Sequence, residues 1–170
     1  MADFLQNSKE LLNPLVVAIM LALVGILMIV IDKLPRKSSK SAGRDLSPKR
    51  ALVIGFAQAF ALIPGVSRSG STIIASRIMG LSPKSSAEYS FIVAIPIMLG
   101  LLTKLLVKDS DRAYLLANLE PVIIGNIAAF ISGMIAIKFM LSYLSNHGLS
   151  LFGWYRICVS IIVVAVLLVQ

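Results

Sequence analysis

The chain alternates between long apolar runs and short polar segments, and four of the runs are long enough to cross a bilayer as helices. A transmembrane helix needs about 20 consecutive, mostly apolar residues. The runs that come close to this length are residues 15–31, 89–107, 121–143 and 151–169. The pattern therefore predicts an all-α membrane protein, built as a polytopic bundle of about four transmembrane helices.

A fifth apolar segment, residues 51–80, is interrupted in its middle by the sequence PGVSRSG. Neither half is long enough to span the bilayer alone. A continuous helix would have to carry Pro64, Gly65 and Gly70 within seven positions, and proline and glycine both disfavour a helix interior. We therefore predict a re-entrant helix–loop–helix. Its second half should end at Gly80, because a glycine followed closely by a proline (Pro83) marks a helix stop.

Small residues recur at helical spacing in two of the predicted spans. Rows of this kind let the backbones of two membrane helices approach closely. We expect each row to be a packing face. The rows are Ala18, Ala22 and Gly25 in the first span, and Gly125, Ala129 and Gly133 in the third.

The composition agrees with a membrane protein, with 58% hydrophobic and only 14% charged residues. Soluble domains have about 45–50% apolar and about 25% charged residues. The net charge of +8 is concentrated in residues 33–50, which hold seven Lys or Arg and one acid. Such a loop suits the cytoplasmic face of a membrane better than a nucleic-acid surface, so no nucleic-acid partner is expected. With this loop inside, both termini should lie outside.

We interpret residues 1–170 as a single membrane domain with four parts. These are an N-terminal segment and first span (1–31), the basic cytoplasmic loop (32–50), the re-entrant hairpin (51–80) and three further spans (81–170). The lone cysteine, Cys158, excludes a disulfide or a cysteine-based metal site within one chain.

The interruption in residues 64–70 carries a guanidinium, Arg68, in apolar surroundings. An ionisable residue at membrane depth is costly and marks a functional site by default. The planar fork of Arg68 can bind two phosphate oxygens at once. Gly65 and Gly70 could turn backbone N–H groups inward, and a helix beginning near Ser69 would direct its positive dipole end to the same place. The alternative is that Arg68 pairs with an acid on another span, of which Glu88 is the nearest in sequence.

Hydroxyl and amide groups surround this arginine. Ser67 and Ser69 flank it, and Ser69 and Thr72 share one face of the second half-helix. Gln58 lies on the first half-helix, before the break. Arg156 opens the last span, where we expect it to extend toward the membrane interface, with a phosphate contact as the alternative.

Three stretches carry a resemblance to a known family. GFAQAFALIPGVSRSGSTI begins at Gly55, AEYSFIVAIP covers residues 87–96, and FGWYR covers residues 152–156. Together they resemble the undecaprenyl-diphosphate phosphatases, the bacitracin-resistance family. The PGVSRSG core is the most specific of these matches, and the resemblance extends over nearly the whole chain.

The resemblance implies a multi-pass enzyme of the bacterial plasma membrane. Family members remove the terminal phosphate from a C55 polyprenyl diphosphate and so regenerate the lipid carrier for peptidoglycan. Their fold is an inverted repeat with two re-entrant hairpins, so this chain would be one half of such a repeat. Arg68 becomes the diphosphate clamp, with Ser67 as a second candidate catalytic residue. The candidate substrate-binding residues are Gly65, Ser69, Gly70, Thr72 and Gln58.

The chain departs from the family pattern in lacking the acidic EGxTE-type motif of an earlier half. Gly55 and Gln58 look like repeat counterparts of the glycine and first glutamate of that motif, and Leu62 stands where the second would be. The nucleophile, the acid–base carboxylates and any metal ligands that the family uses are therefore absent from this chain. We interpret it as a fragment, a truncated gene product or one half of a split protein, with a homo-oligomer or a complementing N-terminal half as the expected partner. The resemblance leaves room for a divalent cation, Mg²⁺ or Ca²⁺, whose ligands are not identifiable here.

Two functions fit this interpretation of the sequence. The first is the diphosphatase, in which Ser67 or Ser69 could serve as nucleophile although no base lies nearby in sequence. The second is a non-catalytic binder or flippase of polyprenyl phosphates, because transporters use broken hairpins for anionic substrates.

Overall fold

The computed structural model describes residues 13–33 and 47–169, and these residues form helices and loops without strands. Seven α-helices and one 3₁₀ helix lie within these ranges. The α-helices are α1 (Pro14–Asp32), α2 (Pro48–Ala57), α3 (Arg68–Ile78), α4 (Pro83–Val107), α5 (Asp109–Ala117), α6 (Leu119–Asn146) and α7 (Ser150–Val169). The 3₁₀ helix, Gln58–Leu62, continues directly from α2.

Four of these helices, α1, α4, α6 and α7, are long and apolar enough to cross a membrane by length and composition. They coincide with the four predicted spans, which confirms the all-α membrane class. Helix α4 begins at Pro83, earlier than predicted, because Ser82 caps it and accepts a hydrogen bond from Ser85 N–H at 3.1 Å. Most of the predicted basic loop and the N-terminal segment, residues 34–46 and 1–12, lie outside the described residues.

Helices α1 and α7 run antiparallel in close contact, and their backbones meet at two glycines. A Cβ atom on Gly25 would lie 2.8 Å from the carbonyl oxygen of Gly153. Farther along, Ser160 Oγ donates to the Ala18 carbonyl at 2.7 Å in a buried hydrogen bond. The small-residue row of α1 is therefore a packing face, as predicted. At the end of α1, the Asp32 carboxylate accepts from the N–H and hydroxyl of Ser150, the first residue of α7.

Residues 48–78 fold back on themselves as a hairpin instead of forming one kinked span. Helix α2 and the 3₁₀ helix both pack against α3 across the interruption. The hairpin begins at Pro48, inside the segment predicted as the basic loop. Helix α3 stops at Ile78, and Gly80 follows with a φ of +95°. Leu81 N–H then donates to the Ser76 carbonyl at 3.0 Å, which satisfies an end group of the helix.

The chain from α4 to α6 is less tightly packed. The polar segment between these helices forms α5, which the apolar pattern did not predict. Surface ion pairs stabilise its first turn, with Lys108 bonded to Asp111 and Arg112 to Asp109. In the described part of the chain, nothing lies within 4 Å of a Cβ atom built on Gly125 or Gly133. The predicted packing face of α6 thus has no neighbour among the described residues.

A small apolar core lies behind the interruption. It combines side chains of α1, α3 and α4 with the end of α6 and the residue before α7. Val66, in the interruption itself, packs against this cluster. The core therefore supports the loop between the two half-helices directly. Its members are Val24, Met28, Ile73, Ala87, Leu144 and Leu149.

Candidate functional site

The interruption begins with a tight turn at Ile63–Pro64–Gly65–Val66. Val66 N–H donates to the Ile63 carbonyl at 3.0 Å, and Gly65 has a φ of +88°. Proline at the second position and a positive φ at the third are the features of a type II turn. A Cβ atom on Gly65 would lie 2.5 Å from the Val17 carbonyl oxygen of α1. Conformation and space therefore both require glycine at this position.

Ser67 starts helix α3 and is its N-cap. Its backbone is extended (φ −63°, ψ 131°), and its Oγ accepts from Gly70 N–H at 3.1 Å. This cap sets the first helical residue at Arg68 and places Gly70 inside the first turn. Gly70 is buried, and a Cβ atom there would meet Val24 and Met28 at 3.3 Å. We expected Gly70 to be a loop residue with a free N–H, whereas the structure uses its N–H in the cap and its small size in packing on α1.

Arg68 occupies the first position of α3 and is half-buried. Among the described residues it forms no ion pair, so the alternative pairing with Glu88 is not observed. In the same range, the N–H groups of Arg68 and Ser69 have no protein acceptor. The N-terminus of a helix carries about half a positive charge on such groups. The helix start thus offers unused N–H donors and carries a residue with a positively charged side chain, and both kinds of group can bind phosphate.

The hydroxyls near Arg68 fall into two groups. Ser67 Oγ and Ser69 Oγ lie 3.1 Å apart at the helix start, within hydrogen-bond distance of each other. Thr72 is turned instead toward α4, where its Oγ1 lies 2.6 Å from Ser90 Oγ in a buried contact. The structure therefore places Ser67 and Ser69 beside the arginine, whereas Thr72 joins the site helix to α4. The role of Thr72 as a binding residue stays a prediction.

A second arginine reaches the interruption, and sequence reasoning did not place it there. Arg156 Nη2 of α7 donates to the Gly65 carbonyl oxygen at 2.6 Å. We expected this side chain to extend toward the membrane interface, but it turns inward over α1. An arginine in an apolar span commonly bonds to backbone carbonyls. That tendency could have suggested a carbonyl partner, but not which one.

Gln58 is the first residue of the 3₁₀ helix and is half-buried. No hydrogen bond among the described residues joins it to the interruption, and its role in binding stays a prediction. No group of three or more His, Cys, Asp or Glu residues in the described ranges could hold a metal ion. The described residues thus supply no metal site of their own, and the divalent cation, whose ligands were not expected in this chain, stays a prediction.

Comparison with known families gives a match over residues 2–162 to the family described as bacitracin resistance protein BacA. The chain belongs to this family. The matched range includes the whole interruption and the first turns of α7, and therefore the segments that contain Arg68 and Arg156. The resemblance noted from the sequence motifs is thereby confirmed.

Curated relatives carry the name undecaprenyl-diphosphatase. The protein of Enterococcus faecalis is 42% identical over 156 residues, which cover 91% of this chain and 56% of the relative. Undecaprenyl-diphosphatase 3 of Acinetobacter baylyi is 38% identical over 98% of this chain and 61% of its own length. The protein of Nitrosomonas europaea is 42% identical over 94% of this chain and 59% of its own length. The chain thus spans 56–61% of the relatives named here.

Proposed function

We propose that this chain forms the diphosphate-binding part of an undecaprenyl-diphosphatase in the bacterial plasma membrane. The observation that carries the proposal is the Arg68 guanidinium at the start of α3, which has no carboxylate partner among the described residues. The names of the curated relatives support the choice of substrate. In this proposal the hairpin holds the terminal phosphate of a C55 polyprenyl diphosphate, and the apolar helices hold its chain in lipid.

Arg68 would bind two oxygens of the terminal phosphate through its planar fork. The unused N–H groups of Arg68 and Ser69 would add donors from the helix end. During hydrolysis the bond between the terminal phosphorus and the bridging oxygen breaks, and water supplies the oxygen that replaces it. The products are the lipid monophosphate and inorganic phosphate. Fixed donors in a water-poor site stabilise the charge that develops on these oxygens, which is the main catalytic contribution in phosphoryl transfer.

Ser67 is the candidate catalytic hydroxyl. Its oxygen already accepts from Gly70 N–H, so its own proton can be donated to Ser69 or to a phosphate oxygen. As nucleophile, Ser67 Oγ would bond to the terminal phosphorus while the bond to the bridging oxygen breaks, and water would then hydrolyse the phosphoserine to release inorganic phosphate. The attack needs an adjacent base that takes the Ser67 proton. We assign the base to a complementing N-terminal segment or to a second copy of the chain.

The test is a chimera in which this chain replaces the matching region of the Enterococcus faecalis protein. Release of inorganic phosphate from undecaprenyl diphosphate in detergent micelles measures the activity. Arg68→Ala should lower kcat/KM by at least about 1,000-fold, as expected for loss of an arginine that stabilises a transferred phosphoryl group. Arg68→Lys should lose about 100-fold, because a point charge replaces the fork.

The matched control is Arg112→Ala, which removes an exposed arginine from a surface ion pair on α5. This variant should retain the activity of the unmodified chimera. Unchanged turnover in Arg68→Ala would refute the assignment of the site. Saturable, Arg68-dependent binding of the lipid without phosphate release would favour the alternative function, a polyprenyl-phosphate binder or flippase.

A further inference from the structure

The Gly65 carbonyl lies where the chain passes from the type II turn toward helix α3. The turn satisfies the N–H of Val66 through Ile63, but this bond does not use the Gly65 oxygen. The oxygen accepts instead from Arg156 Nη2 at 2.6 Å, across 91 residues of sequence. A buried or half-buried carbonyl needs such a partner, because an unsatisfied polar group in apolar surroundings is costly. Arg156 therefore fixes the direction in which the chain enters the site.

Helix α7, which carries Arg156, packs closely against α1. Gly153 lies one turn earlier on α7, and a Cβ atom there would be 2.6 Å from the Gly25 carbonyl oxygen of α1. A Cβ atom on Gly25 would in turn lie 3.3 Å from Arg156 Cβ. This close approach lets the Arg156 side chain reach past α1 to the loop. The base of the side chain thus has a defined position relative to α1.

Helix α1 also supports the loop. Gly65 is backed by Val17 and Met20, and Gly70 by Val24 and Met28. The turn therefore contacts both the backbone of α1 and the guanidinium of Arg156. Only two residues separate the Gly65 carbonyl from Arg68 in the chain, so a shift of this carbonyl moves the start of α3 and the groups attached to it.

We propose that Arg156 is a positioning residue that holds the Gly65 carbonyl and thereby sets the placement of Ser67 and Arg68 for the transferred phosphate. This inference rests on the proposed function and extends it to a residue of the last helix. Its effect should appear mainly in kcat, since small misplacements of a catalytic group lower the rate more than they weaken ground-state binding.

The experiment uses the chimera described above with Arg156→Met, which retains an unbranched apolar stem and removes the donors. We expect kcat to fall by about 10- to 100-fold, as for loss of a hydrogen bond from a charged donor, with KM changed by less than about twofold. Arg156→Lys should recover at least a few-fold of the loss, because the ammonium can donate to the same carbonyl. Activity is expressed per folded protein, counted by size-exclusion chromatography.

Two comparisons separate positioning from other roles. Lys138→Ala removes an exposed charge from α6 and should leave kcat unchanged. In the background of Gly65→Ala, whose positive φ and contact with α1 displace the turn, Arg156→Met should cause little further loss, because both changes act on one carbonyl. Full additivity of the two changes, an effect confined to KM, or a kcat equal to that of Lys138→Ala would overturn the inference.

Failure of the inference can be distinguished from failure of the proposed function. An active chimera that depends on Arg68 but not on Arg156 refutes only the positioning role. If the unmodified chimera releases no phosphate, the proposed function fails, and the positioning role fails with it, because that role is defined for the transferred phosphate.

Discussion

Helices α1 and α6 carry the same pattern of small residues, but only one of the two patterns is packed. In α1, Gly25 meets the backbone of Gly153, and Ala18 is fully buried under α7. In α6, the space beside Gly125 and Gly133 is open within the described residues. The pattern therefore indicates that a helix can be approached closely, but the identity of the partner comes from the rest of the fold.

The packed row is also the one that supports the candidate site. Helix α1 contacts α7 on one side and the loop at Gly65 and Gly70 on the other. Arg156 is carried by α7 to the same loop. Close packing of α1 thus matters for function because it brings together an arginine and a carbonyl that are far apart in sequence. The open row of α6 has no comparable connection to the described site.

The largest effect should come from Gly25→Leu at the α1–α7 contact. The side chain would have to enter space occupied by the Gly153 carbonyl and Arg156 Cβ. Overpacking of a close contact costs about 1–3 kcal/mol, and more where backbone is involved. We expect a lower unfolding temperature in detergent and loss of phosphate release by the chimera. Native stability and activity in this variant would show that the α1–α7 contact is dispensable.

An intermediate effect is expected for Thr72→Val on the site helix. The change removes the 2.6 Å contact with Ser90 and leaves the Ser90 hydroxyl, which is only 6% exposed, without that partner. The cost of stranding a buried hydroxyl is about 1–3 kcal/mol. Chemical denaturation should show this loss of stability. A variant as stable as the unmodified chain would mean that the Thr72–Ser90 contact does not join α3 to α4 in solution.

The smallest effect should come from Gly125→Leu, the counterpart of Gly25→Leu on α6. No described atom outside the adjoining turns of α6 lies within 4 Å of a Cβ atom built on Gly125, and substitution in a helix interior removes the flexibility of glycine. The unfolding temperature of the chain should be unchanged or slightly higher. A large destabilisation would show that this face is packed after all, and would remove the contrast between the two rows.

Much of the architecture could be predicted from local sequence. Long apolar runs gave the four spans, the Pro64–Gly65 pair gave the start of the interruption, and Gly80 gave the approximate end of the second half-helix. The short helix α5 was not predicted because its segment begins with charged residues, which form surface ion pairs, and contains no long apolar run. The start of α3 was also placed slightly too late, because Ser67 caps the helix and brings Arg68 and Gly70 into its first turn.

The long-range contacts of the site could not be predicted in the same way. The Arg156–Gly65 hydrogen bond joins residues 91 positions apart. Every residue has a backbone carbonyl, so the sequence does not show which one accepts. The bond between Thr72 and Ser90 depends on the antiparallel pairing of α3 and α4. Both contacts follow from how the helices pack, and a single sequence does not state which helices are neighbours.

The central claim is that Arg68 binds the terminal phosphate of a lipid diphosphate. Solid-state NMR can test this directly by measuring ¹⁵N–³¹P dipolar coupling in the chimera, labelled with ¹⁵N-arginine and saturated with a non-hydrolysable methylene-diphosphonate analogue. We predict a coupling that corresponds to about 4 Å or less between a guanidinium nitrogen and the terminal phosphorus, and its disappearance in Arg68→Lys. The same coupling in Arg68→Lys, or no coupling in the unmodified protein, would contradict the claim.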